Sequence, residues 1–84
     1  MTGEITENRR VIAQYYELTL HVRLRGGKWT VVVFGPLGLV ITHETKYETE
    51  AEAQQAAIRL ARTNLHEEKN DARPVLEAVD WQPA

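Results

Sequence analysis

Cysteine is absent from the chain. That excludes disulfides, thiolate metal sites and cysteine nucleophiles, and it suits a reducing compartment. No apolar run reaches the ~18 residues that a membrane helix requires. The longest, residues 31–34 and then 37–41, is split by Gly35 and Pro36. The opening MTGEITENRR places no apolar segment behind its charges, so it does not read as a secretory signal. A soluble cytoplasmic protein is the expectation. An excess of positive charge is missing as well. Ten Lys and Arg stand against twelve Asp and Glu, a formal charge of −2. A duplex-binding protein usually shows a basic balance, because phosphate contacts dominate its affinity. The charge is uneven, however. Between residues 15 and 48, Arg23, Arg25, Lys28 and Lys46 outnumber Glu17, Glu44 and Glu48, whereas residues 70–84 set Arg73 against Asp71, Glu77 and Asp80.

What is present fits one domain, 84 residues long. A chain of this size buries only ~60–65% of its unfolded surface, so the core must be used efficiently. Residues 15–25, YYELTLHVRLR, alternate: Tyr16, Leu18, Leu20, Val22 and Leu24 fall on one side, and Tyr15, Glu17, Thr19, His21, Arg23 and Arg25 on the other. A period of two predicts a half-buried strand. Gly26-Gly27 follows, and two glycines between strand patterns predict a tight hairpin whose turn positions both need positive φ. That turn sets Arg25 opposite Lys28, Leu24 opposite Trp29, Val22 opposite Val31 and Leu20 opposite Val33. The buried sets of the two strands then coincide. A second turn at GPLG leads to a third strand, LVITHET, with Val33 expected opposite Leu39 and Val31 opposite Ile41.

Thr49-Glu50-Ala51-Glu52 fits a capping box, with the threonine oxygen accepting from the Glu52 amide and both acids near the positive end of the dipole. Ala53, Ala56, Ala57, Leu60, Ala61, Asn64 and Leu65 repeat at three and four residues, which is one helical face. The pattern predicts a helix from about 50 to 68, ~28 Å long, ended by Asn70 and Pro74. Residues 6–14 read either as a short helix capped by Thr6 or as an extension of the first strand. The segment 70–84 carries Val75, Leu76, Val79 and Trp81, and a disordered tail rarely spends a tryptophan, so part of it should dock. The expectation is thus a single α+β domain over 1–84: an N-terminal arm or short helix in 1–14, a three-stranded antiparallel sheet with a long C-terminal helix on one face in 15–69, and a partly docked tail in 70–84.

Over roughly residues 5–68 this order resembles the double-stranded RNA-binding domain, α-β-β-β-α with the first helix short or absent. The resemblance rests on YYELTL as first strand, WTVVV as second, and EAEAQQAAIRLARTNL, whose Ala53, Ala56 and Ala57 match that family's alanine-rich final helix. The DNA-binding arm domains of phage integrases are similar almost to the same degree. The RNA-binding family holds phosphates with lysines at the start of its final helix and enters a minor groove with a long first loop. Here the lysine positions are Glu50, Ala51 and Gln54, and the loop is Gly26-Gly27. The resemblance therefore implies a shared scaffold without the RNA site, and duplex RNA is not an expected partner.

Arg23, Arg25 and Lys28 cluster at the first hairpin. They read as a contact for phosphate or an acidic partner, or more simply as a charged hairpin end that keeps sheet edges soluble, the preferred reading. His21, His43 and His66 are scattered, with the first two on opposite faces of the expected sheet, so no metal and no cofactor is expected. Glu48, Glu50 and Glu52 are ordinary capping acids, and Gly35-Pro36-Leu37-Gly38 is turn chemistry. No nucleophile–base spacing and no glycine-rich phosphate loop is present, so no enzyme activity is expected. The outer face of the sheet is the remaining candidate. Val32, Phe34 and Val40, with Tyr15 nearby, would lie away from the helix, and an exposed apolar patch usually marks a contact. Either the tail covers it, through Trp81 or Val79, or a partner does. The expected function is a noncatalytic interaction module that binds a protein partner or itself through this face. The alternative is weak nucleic-acid binding through Arg23, Arg25, Lys28 and Tyr15.

Overall fold

A computed structural model of the chain describes residues 9–42 and 45–84. Strands β1 (Arg10–Tyr15), β2 (Leu18–Arg25), β3 (Lys28–Phe34) and β4 (Val40–Thr42) are followed by helix α1 (Glu50–Arg62) and a short β5 (Gln82–Pro83). They form one antiparallel sheet in the order β4-β3-β2-β1-β5. The α+β class and the long helix are as expected. The strand count is not: five strands stand where three were expected.

The first correction concerns residues 15–25. The alternation there does not belong to one strand, because the chain reverses at Tyr16-Glu17 and Tyr15 pairs with Leu18. Two-residue turns of this kind favour glycine or asparagine, since a residue there takes positive φ. Here Tyr16 adopts it, at 56°. Three contacts hold it, two of them from distant residues. Its hydroxyl donates to the Pro74 carbonyl at 2.7 Å, the Arg73 guanidinium lies 4.3 Å from its ring centroid, and its ring meets that of Tyr15 edge-on. Residues 10–14 accordingly form a strand rather than a helix, and the order runs β-β-β-β-α-β from the first described residue onward. Thr6, the expected cap of a short helix, lies outside the described residues.

The Gly26-Gly27 hairpin has the expected register, from Arg25 opposite Lys28 to Leu20 opposite Val33. Both glycines carry positive φ, 58° and 81°. The β3–β4 register differs by two residues from the expected one: Val33 pairs with Ile41 and Phe34 with Val40. The turn takes up the shift through a helical turn at Pro36–Gly38 and Leu37 in the left-handed region at φ 61°. A slip of two preserves the side-chain faces, so Ile41 still faces the core. Beyond β4 the same edge of β3 is met again by Tyr47, which exchanges backbone hydrogen bonds with Trp29.

Thr49 caps α1, its hydroxyl accepting from the Glu52 amide at 3.1 Å, while Glu52 accepts from the amide of Glu48 rather than from that of Thr49. Ala53, Ala56, Ala57 and Ala61 are all buried, so the helix lies close to the sheet. Its last turn, Thr63–Glu67, widens to a π-type turn closed by Glu68 N–H to the Thr63 carbonyl, and it seats Leu65 in the core. Asn70 then leaves the helix in the left-handed conformation, φ 54°. The core consists of these residues with Ala13 and Tyr15 of β1, Leu18, Leu20 and Val22 of β2, and Trp29, Val31 and Val33 of β3.

Candidate functional site: the open face of the sheet

Antiparallel pairing leaves Ile12, His21, Val32, Phe34 and Val40 on the side of the sheet away from α1, together with Arg10, Arg23, Arg25 and Lys28 at the Gly26-Gly27 end. Phe34 retains 39% of its surface and Val40 53%. The tail does not cover them. Leu76, Val79 and Trp81 pack against the core on the helix side, and β5 extends the opposite edge by pairing Gln82 with Ile12 and Pro83 with Val11. The Leu76 amide donates to the Tyr15 hydroxyl at 3.2 Å, and the Ala84 amide to the Arg10 carbonyl at 3.0 Å. Tail cover of Val32 and Phe34, one of the two sequence-based readings, is therefore overturned.

Tyr15 is the misplaced member of the expected set. The hidden hairpin turns it inward, where it is fully buried and its hydroxyl sits 2.9 Å from Nε2 of His66. It cannot stack on a base or touch a partner from there. Val32, Phe34 and Val40 do share the outer face: His21 pairs with Val32, Phe34 with Val40, and the His21 and Phe34 rings meet edge-on at 4.8 Å.

The basic residues assemble more closely than the sequence implied. Arg10 lies directly opposite Arg23, and Arg25 opposite Lys28, so two like-charge cross-strand pairs occupy one corner. Such pairs are destabilising. Lys28 is offset by Glu48, its ion-pair partner. Arg10, Arg23 and Arg25 form no ion pair with an acid among the described residues, and with Arg9, Leu24 and Ala84, whose amide bonds the Arg10 carbonyl, they line a depression at the end of the β1–β2 pair. Arg10 went unnoticed in sequence because the expected sheet began at residue 15. Arg9 itself points to the helix side, 5.9 Å from the Trp29 ring and 3.6 Å from Glu50.

His21 senses this charge. Burial, and then Arg10 and Arg23, hold its pKa below the ordinary imidazole value. No carboxylate occupies a described outward position of β1 to β4; the acids near the face, Glu48 beside Lys28 and Asp80 beside Ile12, lie at its borders. His66 sits at the end of the helix, away from His21, and His43 lies outside the described residues. Among the described residues no three His, Asp or Glu side chains gather where they could hold a metal ion, and no helix is long and apolar enough to cross a membrane. Compared with protein-family models, with curated proteins and with solved structures, the chain matches none.

Proposed function

We propose that this chain is a noncatalytic binding module that takes a protein partner on its open sheet face. The observation that carries the reading is the course of the tail. It supplies the side chains that could have closed the apolar face, yet it packs them on the helix side and leaves Phe34 and Val40 exposed. An apolar patch bordered by polar groups is the usual mark of a contact surface. The helix side offers less, because its apolar groups are already spent on the core and its exposed start carries Glu48, Glu50 and Glu52.

The unpaired Arg10, Arg23 and Arg25 favour a second reading, a nucleic-acid strand laid across the face. Against it stand the overall charge of −2 and the loss of Tyr15 as a stacking group. Affinity capture from a cell lysate tests the first reading, with wild type beside Phe34→Lys, each shown to be folded by circular dichroism. A protein captured by wild type and lost with Phe34→Lys is expected. Equal capture by both contradicts the reading.

A further inference from the structure

We infer that the partner is a linear protein segment carrying acidic side chains about four extended residues, ~13 Å, from an apolar anchor. The inference rests on the protein-binding reading above and names its chemistry. Along β2, Thr19 sits in the row of Phe34 and Arg23 in the row of Arg10. Phe34 and Val40 thus form an apolar seat at one end of the face, and Arg10, Arg23 and Arg25 form a basic seat four residues further along the strand. His21 lies between them. A segment with the anchor on Phe34 and its acids on the arginines supplies carboxylates to Arg10, Arg23 and Arg25, which form no ion pair among the described residues.

Two other occupants fit less well. The face between β1 and β4 is a strip of roughly 15 by 20 Å, four strands wide, whose exposed apolar part is confined to one end. That suits a peptide better than a globular surface. A second copy facing this one would also bring arginines against strands that carry no acid at an outward position. A membrane would have to meet both seats at once. The fully exposed Leu37, the natural insertion point, is at the end of the sheet remote from the arginines, beside the turn that carries Glu17.

A displayed library of random nine-residue peptides, selected on the full chain and then on Arg23→Glu and Phe34→Lys, tests this. The expected result is enrichment of peptides with two or more acids spaced from a leucine or aromatic residue. Arg23→Glu should weaken them at least tenfold, and added salt should weaken them on wild type but little on Arg23→Glu. Enriched apolar peptides without acids, still dependent on Phe34, would overturn the inference and leave the protein-binding reading standing. Peptides whose binding neither variant changes, or none at all, would overturn both. Oligothymidylate or phosphatidylserine vesicles bound in an Arg23-dependent way, more tightly than any selected peptide, would assign the arginines to phosphate and overturn the inference as well. Circular dichroism of both variants separates lost binding from lost fold, and Arg25→Gln offers a milder change at the same seat.

Discussion

The Tyr15 hydroxyl lies 2.9 Å from Nε2 of His66 and accepts the Leu76 amide at 3.2 Å, so one buried oxygen joins the first hairpin, the end of the helix and the tail. Nδ1 of His66 is buried without a hydrogen-bond partner, so the ring depends on Tyr15 for its polar contact. Tyr15→Phe keeps the ring and removes the oxygen. Stability should fall by about 1–3 kcal/mol, because a buried amide and an imidazole nitrogen lose their partner. Urea unfolding measures this, and amide exchange at Leu76 should accelerate in the folded variant.

Backbone conformation at the turns gives a second prediction. A Cβ on Gly26 or Gly27 would meet nothing within 4 Å, so any cost of alanine there is conformational. Gly27→Ala should destabilise by about 1 kcal/mol through its positive φ. Leu37→Gly should do the reverse, raising stability by up to ~1 kcal/mol, since Leu37 holds φ 61° with its side chain in solvent. Thermal melts of the two variants should therefore shift in opposite directions.

These turns also show what the sequence can convey. Gly26-Gly27 was legible because its conformation is local and only glycine takes it without strain, and it fixed the register of six further residue pairs in β2 and β3. The Thr49 cap and the alanine face were legible for the same reason: spacing alone determines them. Tyr16-Glu17 was not legible. No glycine marks it, and alternation runs through it unbroken, since Tyr15 and Tyr16 are both apolar enough to be read on either face. What stabilises the turn is Arg73 and Pro74, far along the chain. That one reversal accounts for the separate strand β1, the inward turn of Tyr15 and the unforeseen place of Arg10 beside Arg23. The apolar part of the outer face survived because Val32 and Phe34 depend on the glycine hairpin alone.

Arg73 anchors the start of the tail. It pairs with Asp71 at 2.5 Å and Glu17 at 2.9 Å. The Arg73 side chain, chiefly by hydrogen bonding, lowers the Asp71 pKa from 3.8 to about 2 and lowers that of Glu17 as well. Both are depressed carboxylates, so their stabilisation is present above the ordinary carboxylate pKa and is lost as pH falls from there through about 2. Arg73→Ala should be less stable than wild type near neutral pH. The gap should narrow as acid protonates Asp71 and Glu17, down to the part owed to the Arg73 contact with the Tyr16 ring. Urea midpoints of both proteins across this range check it, and a gap that does not change with pH would remove the carboxylates from the explanation.

His21 offers a direct reading of the basic corner. Its folded pKa is lowered, so the unfolded chain binds the proton more readily and stability rises with pH through the window below ~6.5. Arg23→Gln removes one source of that depression, so the His21 titration followed by NMR should move upward, toward the ordinary value. An acidic peptide seated on Arg10 and Arg23 should move it the same way. No movement with Arg23→Gln would mean that Arg23 does not act on His21 and that burial and Arg10 set the value.

Val31 and Val32 are neighbours in sequence and point to opposite sides of the sheet, Val31 buried beneath the helix and Val32 on the open face. Methyl NMR of the chain titrated with a selected acidic peptide is therefore the most direct test of the central claim. The methyls of Ile12, Val32 and Val40 should shift with the titration while those of Val31, Val33 and Leu65 stay in place. Shifts concentrated on Leu60, Leu65 and Leu76 with Val32 and Val40 unmoved would place binding on the helix side and contradict the account.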